Sequence, residues 1–255
     1  MSIRLVATLV KLFTGLGSWR DRDADRFVAQ VVPLVGGTQQ ALAALVAAFT
    51  AEQAGAALRR PVGPPGIPAG DAVDLRAGID VAEVYRRPFV TIYNALSQGK
   101  SLTEAIRLGE VRLGEIAEMD LQQTYARASR AAMRGLPTHA RPRFWRRELS
   151  GLENCGLCVL ASTQRYTVED LNPIHGNCDC FVSPIFGRDP GQVIAPELLE
   201  QVHTAVEQLT GQADRGGRAP DYRDLLVQMT PEHGELGPLL VRPRDRFTAQ
   251  ADLAS

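Results

Sequence analysis

Apolar residues recur at helical spacing through much of the first 135 positions. Leu5, Leu9, Leu12 and Phe13 predict a first helix, and Phe27, Val31 and Val32 predict a second after a charged interlude of Asp and Arg. A third, alanine-rich stretch over 38–54 closes near Gly55. The density of Pro and Gly at 61–70 cannot continue a helix and reads as a linker or long turn.

A better-marked helical pair follows. Asp80 with Glu83, and Ser101 with Glu104, both have capping-box spacing, in which the first side chain accepts an amide proton of the opening turn and the Glu reaches back. Gly99 sits between them, where a left-handed residue would end the first helix. The second helix is expected from 102 to about 134, with Ile106, Leu113, Ile116, Met119 and Tyr125 on its buried side, before Gly135 and Pro137 stop it.

Further along, Leu198, Leu199, Val202, Val206 and Leu209 predict an amphipathic helix over 196–209. A loop is expected over 212–220 and a short helix over 221–229, halted by Pro231. Residues 233–247 carry few helical signals and read as an extended arm. The predicted fold class is therefore mainly α: a helical bundle or extended helices, a small Cys/His α+β module stapled by zinc, and an extended C-terminal arm. The expected organisation is a helical region at 1–60, the linker at 61–70, a second helical region at 71–143, the Cys/His module at 144–190, and a C-terminal helix and arm at 191–255.

Composition narrows the class. The 255 residues are 45% hydrophobic and 22% charged, enough to bury a core and against wholesale disorder. A formal net charge of −1 argues against coating nucleic acid or an anionic membrane by bulk electrostatics. No unbroken apolar run reaches the roughly 18 residues of a membrane span. Residues 1–13 have a passing likeness to a signal peptide, but Lys11 interrupts them and no small-residue cleavage site follows. The expected setting is a reducing cytoplasm.

All four cysteines crowd into positions 155–180, which favours metal over a dispersed disulfide scaffold. Cys155 and Cys158 have C-x-x-C spacing, and His175, Cys178 and Cys180 follow after sixteen residues. Zinc takes four nitrogen or sulfur ligands in a tetrahedron, so five candidates compete for four places. The expected set is Cys155, Cys158, His175 and one of Cys178 or Cys180; the alternatives are a Cys155–Cys158 or Cys178–Cys180 link, or buried thiols. Four closed ligands make a structural zinc. A zinc deaminase would need H-x-E before P-C-x-x-C, and neither is present. A thiol nucleophile or a nuclease using His175 is a lesser reading, because neighbouring thiols favour metal over one activated sulfur and Asn177 is the only nearby companion a nuclease motif would use. The chain reads as a non-enzyme.

Between 125 and 147 the chain carries Arg127, Arg130, Arg134, Arg141, Arg143, Arg146 and Arg147 and no acidic residue. These arginines either pair with acids elsewhere or contact DNA phosphates or an acidic partner.

One set of residues is more specific. Phe144, Trp145, Arg146, Arg147 and Glu148, then the C-x-x-C at 155–158, Tyr166, and the H-x-x-C-x-C at 175–180 leading to Pro184, resemble the MuF-like head-morphogenesis proteins of tailed phages. The likeness extends over about 80–240, where Arg86, Arg87, Pro88 and Phe89 and the 233–238 segment look like versions from phages of high-GC actinobacteria, and the first 70 residues add little. The resemblance implies a minor capsid protein with several copies around the portal inside the virion head, made in the host cytoplasm, with no membrane partner. It further implies contact with the portal or major capsid protein, possible contact with packaged DNA, and a part in head assembly, DNA packaging or ejection. A zinc-module DNA-binding protein is the alternative from another class.

Overall fold

The computed structural model describes residues 2–73, 75, 79–150, 153–171, 180–211, 226–228 and 239–241. It is mainly helical, and the chain divides into two compact units: Met1–Pro142 with Val168–Asn177, and Arg143–Thr167 with Cys178–Ser255.

The first unit is built from helices α1 (Ser2–Thr14), α2 (Asp21–Leu58), α3 (Ala69–Val73), α4 (Val81–Ser97) and α5 (Leu102–Gly135). The two stretches expected as separate helices around 27–32 and 38–54 are one helix of 38 residues, a correction to the sequence reading. Pro33 does not break it because its ring and Ala29, four residues earlier, both lie on the exposed side, where water can satisfy the freed carbonyl. Val31, Val35, Gln39, Ala43, Ala47, Thr50 and Ala54 keep the buried stripe continuous past Gly36 and Gly37. Packing thereby overrides the local preference of the two glycines. Although its apolar run is broken by Gly, Gln and Thr, α2 is among the described residues the one helix long and apolar enough to cross a membrane by length and composition.

Phe13, Phe27 and Phe89 join α1, α2 and α4 through three edge-to-face contacts, with ring centroids 5.4, 5.1 and 5.6 Å apart. Around them Leu5, Leu9, Val31, Tyr85, Ile92, Leu113 and Ile116 complete a core shared by α1, α2, α4 and α5. Leu113 and Ile116 are buried as expected from the periodicity, whereas Ile106, Met119 and Tyr125 are half-buried. The deepest positions of α5 include Ala105, Gly109, Ala117, Ala128 and Ala132. Small side chains let neighbouring helices approach closely: a Cβ on Gly109 would stand 3.0 Å from Ile92 Cγ1 and 3.1 Å from the Pro88 carbonyl.

Both capped starts form, with one change. Ser101 Oγ accepts the Glu104 amide proton at 3.2 Å, the first half of a capping box, while the Asp80 carboxylate accepts from Ala82 at 2.9 Å, one position earlier than expected; the returning Glu half is seen in neither helix among the described contacts. Glu104 pairs with Lys100 at 2.6 Å. Gly99 adopts φ +80 and closes the turn between α4 and α5. Ser101→Ala is expected to lower stability by about 1 kcal/mol, measured by urea unfolding, and Ser101→Asp to retain most of it.

The Pro/Gly segment 61–70 lies within the first unit. Ile67 packs against Ala43, Val46, Ala72, Ala128 and Ala132, and Pro65 Cβ sits 2.9 Å from where a Cβ on Gly135 would be. Thr124 Oγ1 donates to the Ala72 carbonyl at 2.9 Å and Arg127 donates to the Leu75 carbonyl at 3.1 Å, clipping α3 to α5.

The second unit holds two small antiparallel sheets. In the first, β1 (Phe144–Glu148) lies between β3 (Arg165–Thr167) and β4 (Phe181–Ile185); in the second, β5 (Leu226–Gln228) lies between β2 (Glu153–Cys155) and β6 (Leu239–Val241). Helix α6 (Gly156–Ser162) packs on α7 (Pro196–Thr210) through Val159, Val202 and Val206. Of the apolar stripe predicted for 196–209, Leu198, Val202 and Val206 therefore face a core. One expectation is corrected here and another is made more specific. Residues 226–228, expected in a short helix, form a strand, and Leu239, Leu240 and Val241, expected in an extended arm, pair with that strand as a sheet edge. The registers Cys155↔Leu226 and Leu226↔Val241 are long-range pairings that no local periodicity announces. The loop expected at 212–220 lies outside the described residues.

Candidate metal centre and arginine surface

Strand β1 organises the candidate site. Its alternation buries Trp145 and Arg147 on one face and exposes Arg146 on the other. Opposite Trp145 stand Tyr166 and Pro184, and opposite Arg147 stands Val182. Because directly paired residues share a face, these side chains line the buried side of the sheet. Trp145 is only 1% exposed, donates its indole N–H to the Thr167 carbonyl at 2.7 Å, and meets Tyr166 with ring centroids 5.0 Å apart. Burial pushes the Tyr166 hydroxyl above its ordinary pKa, partly offset by the charge of Arg147.

Arg147 lies over the Trp145 ring at 5.1 Å and donates from Nη1 to Cys180 Sγ at 3.2 Å. A guanidinium has five donors and no acceptor, so the sulfur must accept. That contact favours electron-rich sulfur, the form in which cysteine ligates a metal.

The other predicted ligands are placed as follows. Cys155 ends β2, and only its backbone is described. Cys158 lies in the first turn of α6 and is 1% exposed. The C-x-x-C is thus a strand-to-helix junction rather than a free-standing knuckle turn. His175 and Cys178 lie outside the described residues. Among the described residues no group of three or more His, Cys, Asp or Glu side chains comes together. The donor chemistry of Cys158 and Cys180 suits zinc, since both present sulfur and one already accepts an N–H, the outer contact that tunes a bound thiolate.

The seven arginines do not form one described surface. Arg127 pins the Leu75 carbonyl, Arg134 meets Glu169, Arg141 donates to the Leu136 carbonyl at 3.1 Å, and Arg146 binds Glu148. Arg147 is buried against Trp145 and Cys180. Arg143 stacks over Phe144 at 5.3 Å and is exposed, while Arg130 is half-buried. Of the residues proposed for phosphate contact, Arg130 is the one without an acid, thiol or carbonyl partner among the described residues, since the charge of Arg143 acts on the Asp189 carboxylate. Acids beyond the stretch take up several of the cations, which is the ordinary fate of a charged run.

No protein-family model, curated protein or solved structure matches this chain.

Sequence reasoning overlooked the roles of Arg165 and Asp189. Arg165 lies 3.8 Å over the Phe144 ring and forks onto Asp189 at 2.6 and 2.9 Å, while the Gly191 amide donates to the same carboxylate at 2.9 Å. These contacts, the Gly191 amide first, hold the Asp189 carboxyl below the usual carboxylate range. The Ser18 hydroxyl does the same for Asp23 at the start of α2, and Lys100 for Glu104. Each depressed group contributes stability that is present above its unfolded pKa of about 4 and is lost as pH falls through the lower folded value. The melting temperature is accordingly expected to hold between about pH 5 and pH 7 and to fall below about pH 4, with Asp189→Asn flattening part of that acid limb. A melting temperature that rises on acidification would contradict the assignment. For the burial of Arg147 the overlooked signal was period-2 alternation: Trp145 and Arg147 are two apart, as are Phe144 and Arg146, so a strand would have separated buried from exposed arginine.

Proposed function

We propose that this chain is a minor head protein of a tailed phage, of the MuF-like kind. It associates with the portal or inner capsid in several copies and serves head assembly, DNA packaging or ejection. The observation that carries the reading is the ordered set of Trp145, Arg147, Cys155, Cys158, Tyr166, His175, Cys178 and Cys180 over a short span. The geometry supports treating part of that set as one module: Trp145, Tyr166, Arg147 and Cys180 meet on one small sheet, and Cys158 is buried in the helix that follows β2. Within it, a structural zinc would draw four ligands from Cys155, Cys158, His175, Cys178 and Cys180, and fix a segment whose own apolar core is small. Contact with packaged DNA or an acidic partner would fall to the exposed arginines of the 127–147 stretch, Arg134, Arg141, Arg143 and Arg146. The site lies in the virion head interior once assembled and in the host cytoplasm before that, and the protein is not an enzyme.

The test is co-expression of the full chain with a tailed-phage portal protein, followed by affinity purification through the portal at low and high salt. Retention at both salts supports a portal-bound head protein. A chain that ignores the portal but binds duplex DNA, with affinity falling steeply as salt rises, supports the zinc-module DNA-binding alternative instead. A His175→Ala variant that stays folded and loses a measurable nuclease activity would move the reading to an enzyme.

A further inference from the structure

The face of the β1 sheet opposite Trp145 has a different chemistry. Phe144, Arg146 and Glu148 alternate away from the buried side of β1, and their cross-strand partners share that outer face: Arg165 stands opposite Arg146, and Phe181 opposite Glu148. Helix α6 lies on the other side of the sheet, where Tyr166 Oη donates to the Ala161 carbonyl at 3.0 Å. Two arginines are thus in register on neighbouring strands, and like charges directly opposite one another destabilise a sheet. Arg143 adds a third cation, over Phe144 at 5.3 Å, and Arg188 is exposed next to Asp189 along the chain. Glu148 pairs with Arg146 and Asp189 with Arg165, which offsets two of these four charges. Among the described residues the face keeps a cationic excess, and an anion laid across Arg146 and Arg165 would relieve it.

We propose that this face binds single-stranded nucleic acid, with a backbone phosphate between Arg146 and Arg165 and unpaired bases stacked on the Phe144–Arg165 pair and on Phe181. Arg165 lies 3.8 Å over the Phe144 ring and is forked onto Asp189 at 2.6 and 2.9 Å, so its guanidinium plane is fixed before a ligand arrives. Flat guanidinium groups and aromatic rings are the surfaces on which splayed bases stack. The arginines alone would take any polyanion. The rings choose among them, because a paired base in a duplex has no free face to offer, and an acidic protein would leave Phe144 and Phe181, both half-buried, without a role. Three strands and the five residues of β1 make a face of about 10 by 17 Å. That suits a short site, on the order of four nucleotides, with a Kd on the order of 10 µM. The inference rests on the contact with DNA proposed above, which it narrows to unpaired strands, but not on the portal. Portal capture and oligonucleotide binding can therefore fail separately.

Fluorescence anisotropy of a labelled oligothymidylate of about 12 nucleotides, titrated with the full chain at about 50 mM salt, reads the binding. Saturation is expected, at least about tenfold tighter than for a duplex of the same length. Phe144→Leu should weaken binding about fivefold or more, the loss of one stacked base. Arg143→Gln should reduce the slope of log affinity against log salt by about 0.7, the share of one phosphate contact. Glu148→Gln frees Arg146 from an exposed pair and should tighten binding about threefold, the effect of one unit charge across roughly 6 Å of water. Misfolding cannot imitate that gain. Equal affinity for the duplex would overturn the proposal, as would a Phe144→Leu protein of unchanged circular dichroism that binds like wild type. A Glu148→Gln protein that binds no tighter, or no binding up to about 300 µM chain, would overturn it too. Polyglutamate that displaces the oligonucleotide as well as unlabelled oligothymidylate does would reassign the face to an acidic protein and equally end it.

Discussion

Trp145→Ala is expected to remove about 3–5 kcal/mol of stability from the second unit, the cost of emptying the space of a buried aromatic. The side chain is the centre of a four-part contact. Tyr166 lies against its ring, Arg147 lies over it, the Thr167 carbonyl takes its N–H, and Arg147 in turn reaches Cys180. Emptying the site would leave Arg147 buried without the ring that faces it, and the loss of cation–π attraction adds to the cavity cost. Trp145→Phe separates the effects. It keeps most of the apolar contact and loses the indole N–H, so a smaller loss of about 1–2 kcal/mol is expected. Urea unfolding followed by tyrosine fluorescence and far-ultraviolet circular dichroism would show both shifts; equal midpoints for Trp145→Ala and wild type would contradict the geometry.

Phe27→Ala is the second large effect, at about 3–5 kcal/mol. Phe27 is fully buried and touches Phe13 of α1 and Phe89 of α4, so its removal loosens three helices together. Each edge-to-face pair adds about 0.5–1.5 kcal/mol beyond burial, and two of the three pairs go with this one ring. Phe27→Leu should recover more than half of the loss, because it refills much of the volume without the ring contacts. The comparison of Ala, Leu and wild type by thermal melting separates cavity from ring geometry, and a Leu variant no better than Ala would show that the rings matter more than volume.

The helical unit was readable where its signals are local. Ser101, Glu104 and Gly99 mark their turn by side-chain and backbone chemistry within a few residues, and the turn forms where they place it. The continuity of α2 was not readable, since Pro33 and the Gly36–Gly37 pair are strong local punctuation. What holds the helix across them is the burial of Val31, Val35 and Gln39 against other elements. The buried side of α5 was half readable for a related reason. Periodicity weights large apolar residues such as Ile106, whereas close helix packing selects Ala105 and Gly109 beside it.

In the second unit, the sequence reading took Arg147 as one more surface cation and 226–228 as helix. Both follow from the same physical fact: a strand acquires its environment from partners far along the chain. Arg147 is buried because β3 and β4 flank β1, and residues 226–228 are extended because β2 and β6 pair with them. The metal candidates were readable as residue types with ligand spacing. Their expected knuckle turn was not, because the C-x-x-C falls where β2 passes into α6.

The most direct test of a zinc-stapled head protein is the metal content of the full chain purified through the co-expressed portal. The account predicts about one zinc per chain, held through portal capture, with chelation lowering the melting temperature and Cys155→Ser or Cys158→Ser lowering both metal content and stability. A folded, metal-free chain recovered apart from the portal, its melting temperature indifferent to chelation and to both serine variants, would contradict it.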